Sequence, residues 1–183
     1  MKFISIMFIS IIFHFNSAHA DIVFLDLNNN PKEKKAALEQ ASLQGEKIVI
    51  YPKDNSLYDQ KKAEEVLKQV VPDTLIISGH NAGGNISGNR NETLKISDLS
   101  TFLSKNPNVQ NNIQVLMLNG CNTGSQYVVQ KYKSIMPNLK FIAGYDGTSP
   151  LEKWVQGRHY IKDVIRLKQQ IIDSKSGDEL KSI

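Results

Sequence analysis

The chain of 183 residues contains one cysteine, one tryptophan and four histidines, and only 8% of it is aromatic. The lone Cys121 excludes a disulfide framework within the chain. It leaves a small buried hydrophobe, a link to another molecule, or a reactive thiol. No run of about eighteen apolar residues occurs, so no segment is built to span a bilayer. Charge of one sign is lacking too: 22 lysines and arginines face 18 acids, for a formal net charge of +4. Runs such as Lys32-Glu33-Lys34-Lys35 and Lys61-Lys62-Ala63-Glu64-Glu65 mix both signs, as solvated helix faces do. With no continuous basic stripe and no interleaved aromatics, nucleic acid is not an expected partner. Few histidines, one thiol and no clustered acids argue against a transition-metal site, and no cofactor is expected.

Hydrophobic residues make up 40% of the chain, enough to drive folding and to exclude a disordered polymer. The first twenty residues read differently from the rest. Lys2 is a short positive region, Phe3 to Phe15 an apolar core, and Ala18-His19-Ala20 an A-x-A cleavage site. This is the pattern of a secretory signal peptide, cut before Asp21. The expected product is exported, periplasmic or secreted, and not inserted in a membrane after cleavage. Removing 20 residues from 183 leaves 163, the size of one domain (residues 21–183) with a substantial core.

Within that domain, apolar runs alternate with amphipathic ones. Asp21 to Asp26 reads as a strand, and Pro31 opens a helix that runs to Gln44 and stops at Gly45. Lys47 to Tyr51 is a second strand, Gln60 to Val71 a second helix ended by Pro72, and Leu75 to Ile77 a third strand. Ile113 to Leu118 is a fourth strand, Gln126 to Met136 a helix, Leu139 to Ala143 a fifth strand. Leu151 to Ile172 forms a terminal helix carrying Trp154 and His159, which read as packing and surface residues. Strand–helix alternation with fully apolar strands predicts a single-domain α/β fold. Its sheet is doubly wound and mostly parallel, with helices on both faces.

Such sheets bind ligands beyond the carboxyl ends of their strands. Two of those ends carry chemistry. The third strand runs into Ser78-Gly79-His80-Asn81, the fourth into Asn119-Gly120-Cys121-Asn122-Thr123-Gly124, with histidine and cysteine forty-one positions apart. A thiol nucleophile needs a nearby acid–base group, and a Cys/His pair supplies both. The helix beginning soon after Cys121 favours a thiolate and offers N–H donors to an oxyanion. Gly79 and Gly120 leave room for a substrate backbone.

Together these segments resemble the caspase/gingipain-like (clan CD) cysteine peptidases, in particular caspase-like domains with Gly-His-Gly and Ala-Cys-x-Thr-Gly signatures. The resemblance covers roughly Asp21 to Asp146 and is specific over about a dozen residues. It implies a caspase-like sheet, His80 as general acid/base, Cys121 as nucleophile, and a protein or peptide substrate. It also implies oxyanion donors at the N–H groups of Cys121 and Asn81. The family usually has glycine at that second position. Asn81 is the side chain that best tolerates a left-handed backbone. Only one helix-length segment follows the fifth strand, which leaves little chain for substrate-pocket loops.

Other readings compete. A catalytically inactive binding module on the same scaffold fits Asn81 and the short loops. Gly79 to Gly83 matches a G-x-S-x-G nucleophile elbow with asparagine for serine, but Gly83 to Asn89 reads as a loop, not a helix. Asp26, Ser78 and Asp146 suggest a haloacid-dehalogenase-like phosphatase, yet Asn28 stands where a second acid is needed. Asp146 is read either as a turn residue in Tyr145-Asp146-Gly147 or as an acid selecting a basic substrate side chain.

Overall fold

The computed structural model describes residues 21–54, 56–149 and 155–174. The expected export signal and Trp154 lie outside them. In chain order the elements are β1 (Ile22–Asp26), α1 (Pro31–Gln44), β2 (Ile48–Tyr51), α2 (Gln60–Val70), β3 (Thr74–Ser78), β4 (His80–Ala82) and β5 (Asn85–Ser87). There follow β6 (Thr93–Leu94), α3 (Ile96–Lys105), α4 (Pro107–Asn112), β7 (Val115–Asn119), α5 (Gln126–Ile135), β8 (Phe141–Gly144) and α6 (Val155–Asp173).

Five strands form one parallel sheet in the order β2-β1-β3-β7-β8. The continuous apolar runs are explained by its two covered faces. Ile22, Phe24, Ile76, Val115 and Met117 pack on one side with α1 and α6, through Ala37, Ala41, Ile161 and Ile165. Val23, Leu25, Leu75, Ile77, Leu116 and Leu118 pack on the other, under Leu67 of α2, Leu103 of α3, Val109 of α4 and Tyr132 of α5. Alternate residues of each strand therefore belong to different cores, and polar residues enter these strands only at their ends, as Asp26, Thr74, Ser78 and Asn119. The small Ala37 and Ala41 of α1 pack in one cluster with Ile161, Val164 and Ile165 of α6.

The N-terminus of α1 is capped by Asn30, whose Oδ1 accepts from the backbone of Lys32 and Glu33. Gly45 ends the helix at φ 69°, in the left-handed region. One expectation is corrected by the fold. Gly83 to Asn89 is no loop: Gly83 and Gly84, at φ 62° and 100°, turn β4 into β5, and β6 completes a three-stranded antiparallel sheet. Residues 93–112, given no element above, hold β6, α3 and α4. Their apolar residues Leu99, Phe102 and Leu103 are spaced for a helix that the interrupting Ser, Thr and Asn conceal. The expected terminal helix is described from Val155, its first residues 151–154 lying outside the described ones.

Candidate functional site: two neighbouring strand ends and a buried carboxylate

β3 and β7 are hydrogen-bonded neighbours, and their last paired residues are Ser78 and Asn119. His80 and Cys121 each lie two residues past that pair, so the register starts both from adjoining strand ends. Glycine is required between. A Cβ on Gly120 would sit 2.4 Å from the Gly79 carbonyl oxygen, and one on Gly79 would sit 2.5 Å from Ile86 Cγ2. Such contacts exclude any larger residue without a backbone shift.

Past Gly79 the chain enters the small sheet. His80 is exposed there, and its Nε2 donates to Asn89 Oδ1 at 2.8 Å. A neutral ring with its proton on Nε2 leaves Nδ1 as the basic nitrogen, and Nδ1 has no hydrogen bond among the described residues. Asn89 in turn reaches the Asn28 carbonyl oxygen at 3.5 Å, which ties the imidazole to the loop after β1.

Asn81 answers the glycine-for-asparagine difference in an unexpected way. Its φ is not positive; it is an ordinary strand residue paired with Ile86. Its side chain acts as a clamp, with Nδ2 donating to the Cys121 carbonyl at 2.9 Å and Oδ1 accepting from Gly84 N–H at 2.9 Å. In a two-residue hairpin the residues flanking the turn, Ala82 and Asn85, form the hydrogen-bonded pair. Asn81 and Ile86 are then the non-bonded pair, so the Asn81 N–H faces away from β5, along the free edge of β4. From α5, Lys131 Nζ and Tyr132 Oη hold the carbonyls of Gly83 and Gly84, each at 2.9 Å.

Cys121 is partly buried and opens a tight turn before α5. Thr123, fully buried, fixes that turn by donating from Oγ1 to the carbonyls of Leu118 and Gly120 at 2.7 Å, while accepting Tyr145 N–H. The segment after β8 wraps the same turn: Asn122 N–H donates to Gly147 O, and Ser149 N–H points at Cys121 Sγ from 3.3 Å. Asp146 lies in this segment, exposed on the turn. No hydrogen bond joins His80 and Cys121 among the described residues; Nε2 is turned to the β1 side and Sγ to the β8 side.

Sequence reasoning singled out Asp26 and Ser78 but missed the polar layer that joins them beneath these residues. Ser78 Oγ donates to Glu33 Oε2 at 2.7 Å and accepts from Asn119 Nδ2 at 3.2 Å. Asn30 Nδ2 holds Glu33 Oε1, and Asn30 N–H donates to Asp26 Oδ2 at 2.7 Å. Asp26 is fully buried at the end of β1, where strand order reverses between β1 and β3. Burial above all, and then Glu33, push its carboxyl up to about 7, against the pull of the Lys34 ammonium 3.9 Å away. The available signal was the position: Asp26 ends a fully apolar strand, and a charged residue there has a function or a partner.

Above this layer lies a cleft of about 300 Å³, lined by Asp26, Asn28, Tyr58, Asn89 and Glu92 among others. Three of its buried polar atoms, Asp26 Oδ1, Asn28 Oδ1 and Tyr58 Oη, have no hydrogen-bond partner among the described residues. Asn89 belongs to this lining and also holds His80, so the imidazole stands at the rim. Among the described residues no group of three or more His, Cys, Asp or Glu could hold a metal ion. Nor is any described helix long and apolar enough to cross a membrane.

The raised Asp26 has a testable consequence. Its folded-state affinity for a proton exceeds the unfolded one, so ionising it between about pH 4 and pH 7 costs stability. Asp26→Asn is expected to stabilise the chain by about 2–4 kcal/mol at pH 8 and by little near pH 4. Lys34 keeps the carbonyls of Pro52 and Asp54 as acceptors in the variant. Urea unfolding at both pH values checks this; an equal change at the two would refute it.

No protein-family model matches the chain, and a search of curated proteins finds no significant match.

Proposed function

We propose that the chain is a caspase-like cysteine peptidase, exported by residues 1–20, that cleaves protein or peptide substrates with Cys121 and His80. The observation that carries the reading is the β3–β7 register, which sends both residues out of adjoining strand ends on either side of two obligatory glycines. In the reaction, Cys121 Sγ attacks the scissile carbonyl carbon as His80 Nδ1 takes up the thiol proton. The new oxyanion is met by the N–H of Cys121 and the outward-facing N–H of Asn81. Collapse breaks the C–N bond, and His80 passes its proton to the departing amine. Water, deprotonated by the same imidazole, then hydrolyses the thioester and restores the thiol.

The cleft at the imidazole rim accepts the substrate side chain in this scheme. Its orphaned atoms include Asp26 Oδ1 and the Asn28 side-chain amide oxygen Oδ1, both acceptors. A lysine or arginine side chain fills that demand and neutralises the buried charge. Asp26 is a better selector than Asp146, because an exposed carboxylate is screened by water. The folded chain should therefore cleave after Arg or Lys in preference to Asp or Asn, with kcat/KM rising through about pH 7 as Asp26 ionises. Peptides differing only at that residue, assayed from pH 5 to 9, decide it. A preference for Asp, or a rate that falls over the same range, removes Asp26 from the role.

A second reading, a binding module without turnover, is favoured by one feature: His80 Nε2 and Cys121 Sγ are each held by a different neighbour. Iodoacetamide at mildly acidic pH separates the two. Labelling of Cys121 within minutes marks an activated thiolate, whereas inertness selects the binding module.

A further inference from the structure

On the face of α1 and α6 away from the sheet, charges distant in sequence are gathered together. Lys32, Lys35, Arg158 and Lys162 line one groove of about 380 Å³ with a single carboxylate, Glu39. An adjoining groove of about 370 Å³ shares Lys35 and Glu39 and adds Lys53 and Lys34, the latter engaged with Asp26. Glu39 is already engaged, with Lys162 at 3.3 Å and Lys35 at 3.8 Å. These six cations and one acid carry a net +5, which leaves sixteen cations and seventeen acids for the rest of the chain. The N-termini of α1 and α6 lie on the same face, so the helix dipoles add to the positive field.

The same surface is apolar in a particular way. Leu38 and Leu43 are 50% and 76% exposed, and at about 100° per residue they share one solvent-facing arc of α1 with Lys32 and Lys35. Leu38 is also part of the wall of the second groove. Cations flanking exposed leucines on a helix face suit the boundary between anionic headgroups and acyl chains. A soluble anion has no use for the leucines.

We infer that this α1–α6 face docks on an anionic phospholipid surface, its cations on headgroup phosphates and Leu38 and Leu43 in the boundary layer. The attachment is peripheral and independent of the peptidase reading. Because α1 and α6 both begin at the carboxyl end of the sheet, docking holds the cleft beside the membrane.

The test is sedimentation of the full chain with vesicles of phosphatidylglycerol or of phosphatidylcholine, against Lys32→Gln/Lys35→Gln/Lys162→Gln and Leu38→Ser/Leu43→Ser variants. Any affinity conferred by residues 1–20 is common to all three proteins and cancels in the comparison. The charge variant is expected to bind phosphatidylglycerol about a hundredfold more weakly, from roughly fivefold for each of the three cations, and the leucine variant several-fold more weakly. A Lys32→Glu/Lys53→Glu variant, whose lysines make no ion pair among the described residues, repeats the charge test without breaking the Glu39 contacts. Unchanged binding in the charge variants, or equal binding to phosphatidylcholine, overturns the inference. So does unchanged binding in the leucine variant, which would mark a general polyanion site. Displacement by inorganic phosphate beyond that by chloride of equal ionic strength would instead make it a discrete phosphate site.

Discussion

Cys121→Ala is expected to lower kcat/KM for peptide hydrolysis by at least about a thousandfold while moving the melting temperature by no more than about 2 °C. The size of the first effect follows from the step removed: without sulfur there is no acyl-enzyme, and only binding and the oxyanion donors remain. The smallness of the second follows from the surroundings, since Cys121 is only partly buried and Sγ accepts one N–H, from Ser149. The turn itself is held by Thr123, not by the thiol. His80→Ala should fall to a comparable level because the amine then leaves unprotonated. Asn89→Ala should cost much less, roughly tenfold, by releasing a ring that keeps its chemistry but loses its orientation. Steady-state kinetics on the purified chain with the Arg and Lys peptides measures all three. Retention of more than a tenth of the activity in Cys121→Ala would remove the thiol from the mechanism.

The largest stability effect is expected away from the site, at Lys168→Met. Lys168 is a fully buried cation on α6, with Nζ 2.6 Å from Glu46 and 3.2 Å from Asp73. Methionine fills the space but leaves two buried carboxylates without their counter-ion, a loss of about 3–5 kcal/mol. For a domain of this size that corresponds to a fall of roughly 10 °C in melting temperature. The sign of its pH dependence is fixed. Burial already holds Asp73 above its usual range against the pull of Lys168, and losing the cation raises it further. A carboxyl raised in the folded state costs stability as pH climbs, so the deficit should be larger at pH 8 than at pH 5. Thermal melts at the two values check it; an equal deficit would mean the cavity, not the charge, sets the cost.

Much of the fold was legible because its strands are unambiguous. Ile22 to Leu25, Leu75 to Ile77 and Leu116 to Leu118 are apolar at every position, and only a sheet covered on both faces uses such runs. α1 was bounded by its own residues, Asn30 and Pro31 at one end and Gly45 at the other. The antiparallel flap escaped notice because Asn85-Ile86-Ser87 and Thr93-Leu94 are too short to alternate visibly, and pairing rather than propensity makes them strands. Asn81 was recognised as a departure from glycine, but its amide bridge to Cys121 depends on the hairpin bringing it there.

By itself, the sequence determined the α/β class, the helix ends and the two strand termini that carry His80 and Cys121, because period, caps and glycines act over a few residues. Strand order was a tertiary matter, since which strands pair depends on how crossovers pack. So was the burial of Asp26 beside Glu33 and of Lys168 between Glu46 and Asp73, pairs separated by 7, 122 and 95 positions. The basic face of α1 and α6 is of the same kind. Its lysines sit among acids along the chain, and only helix packing sorts the two signs onto different surfaces.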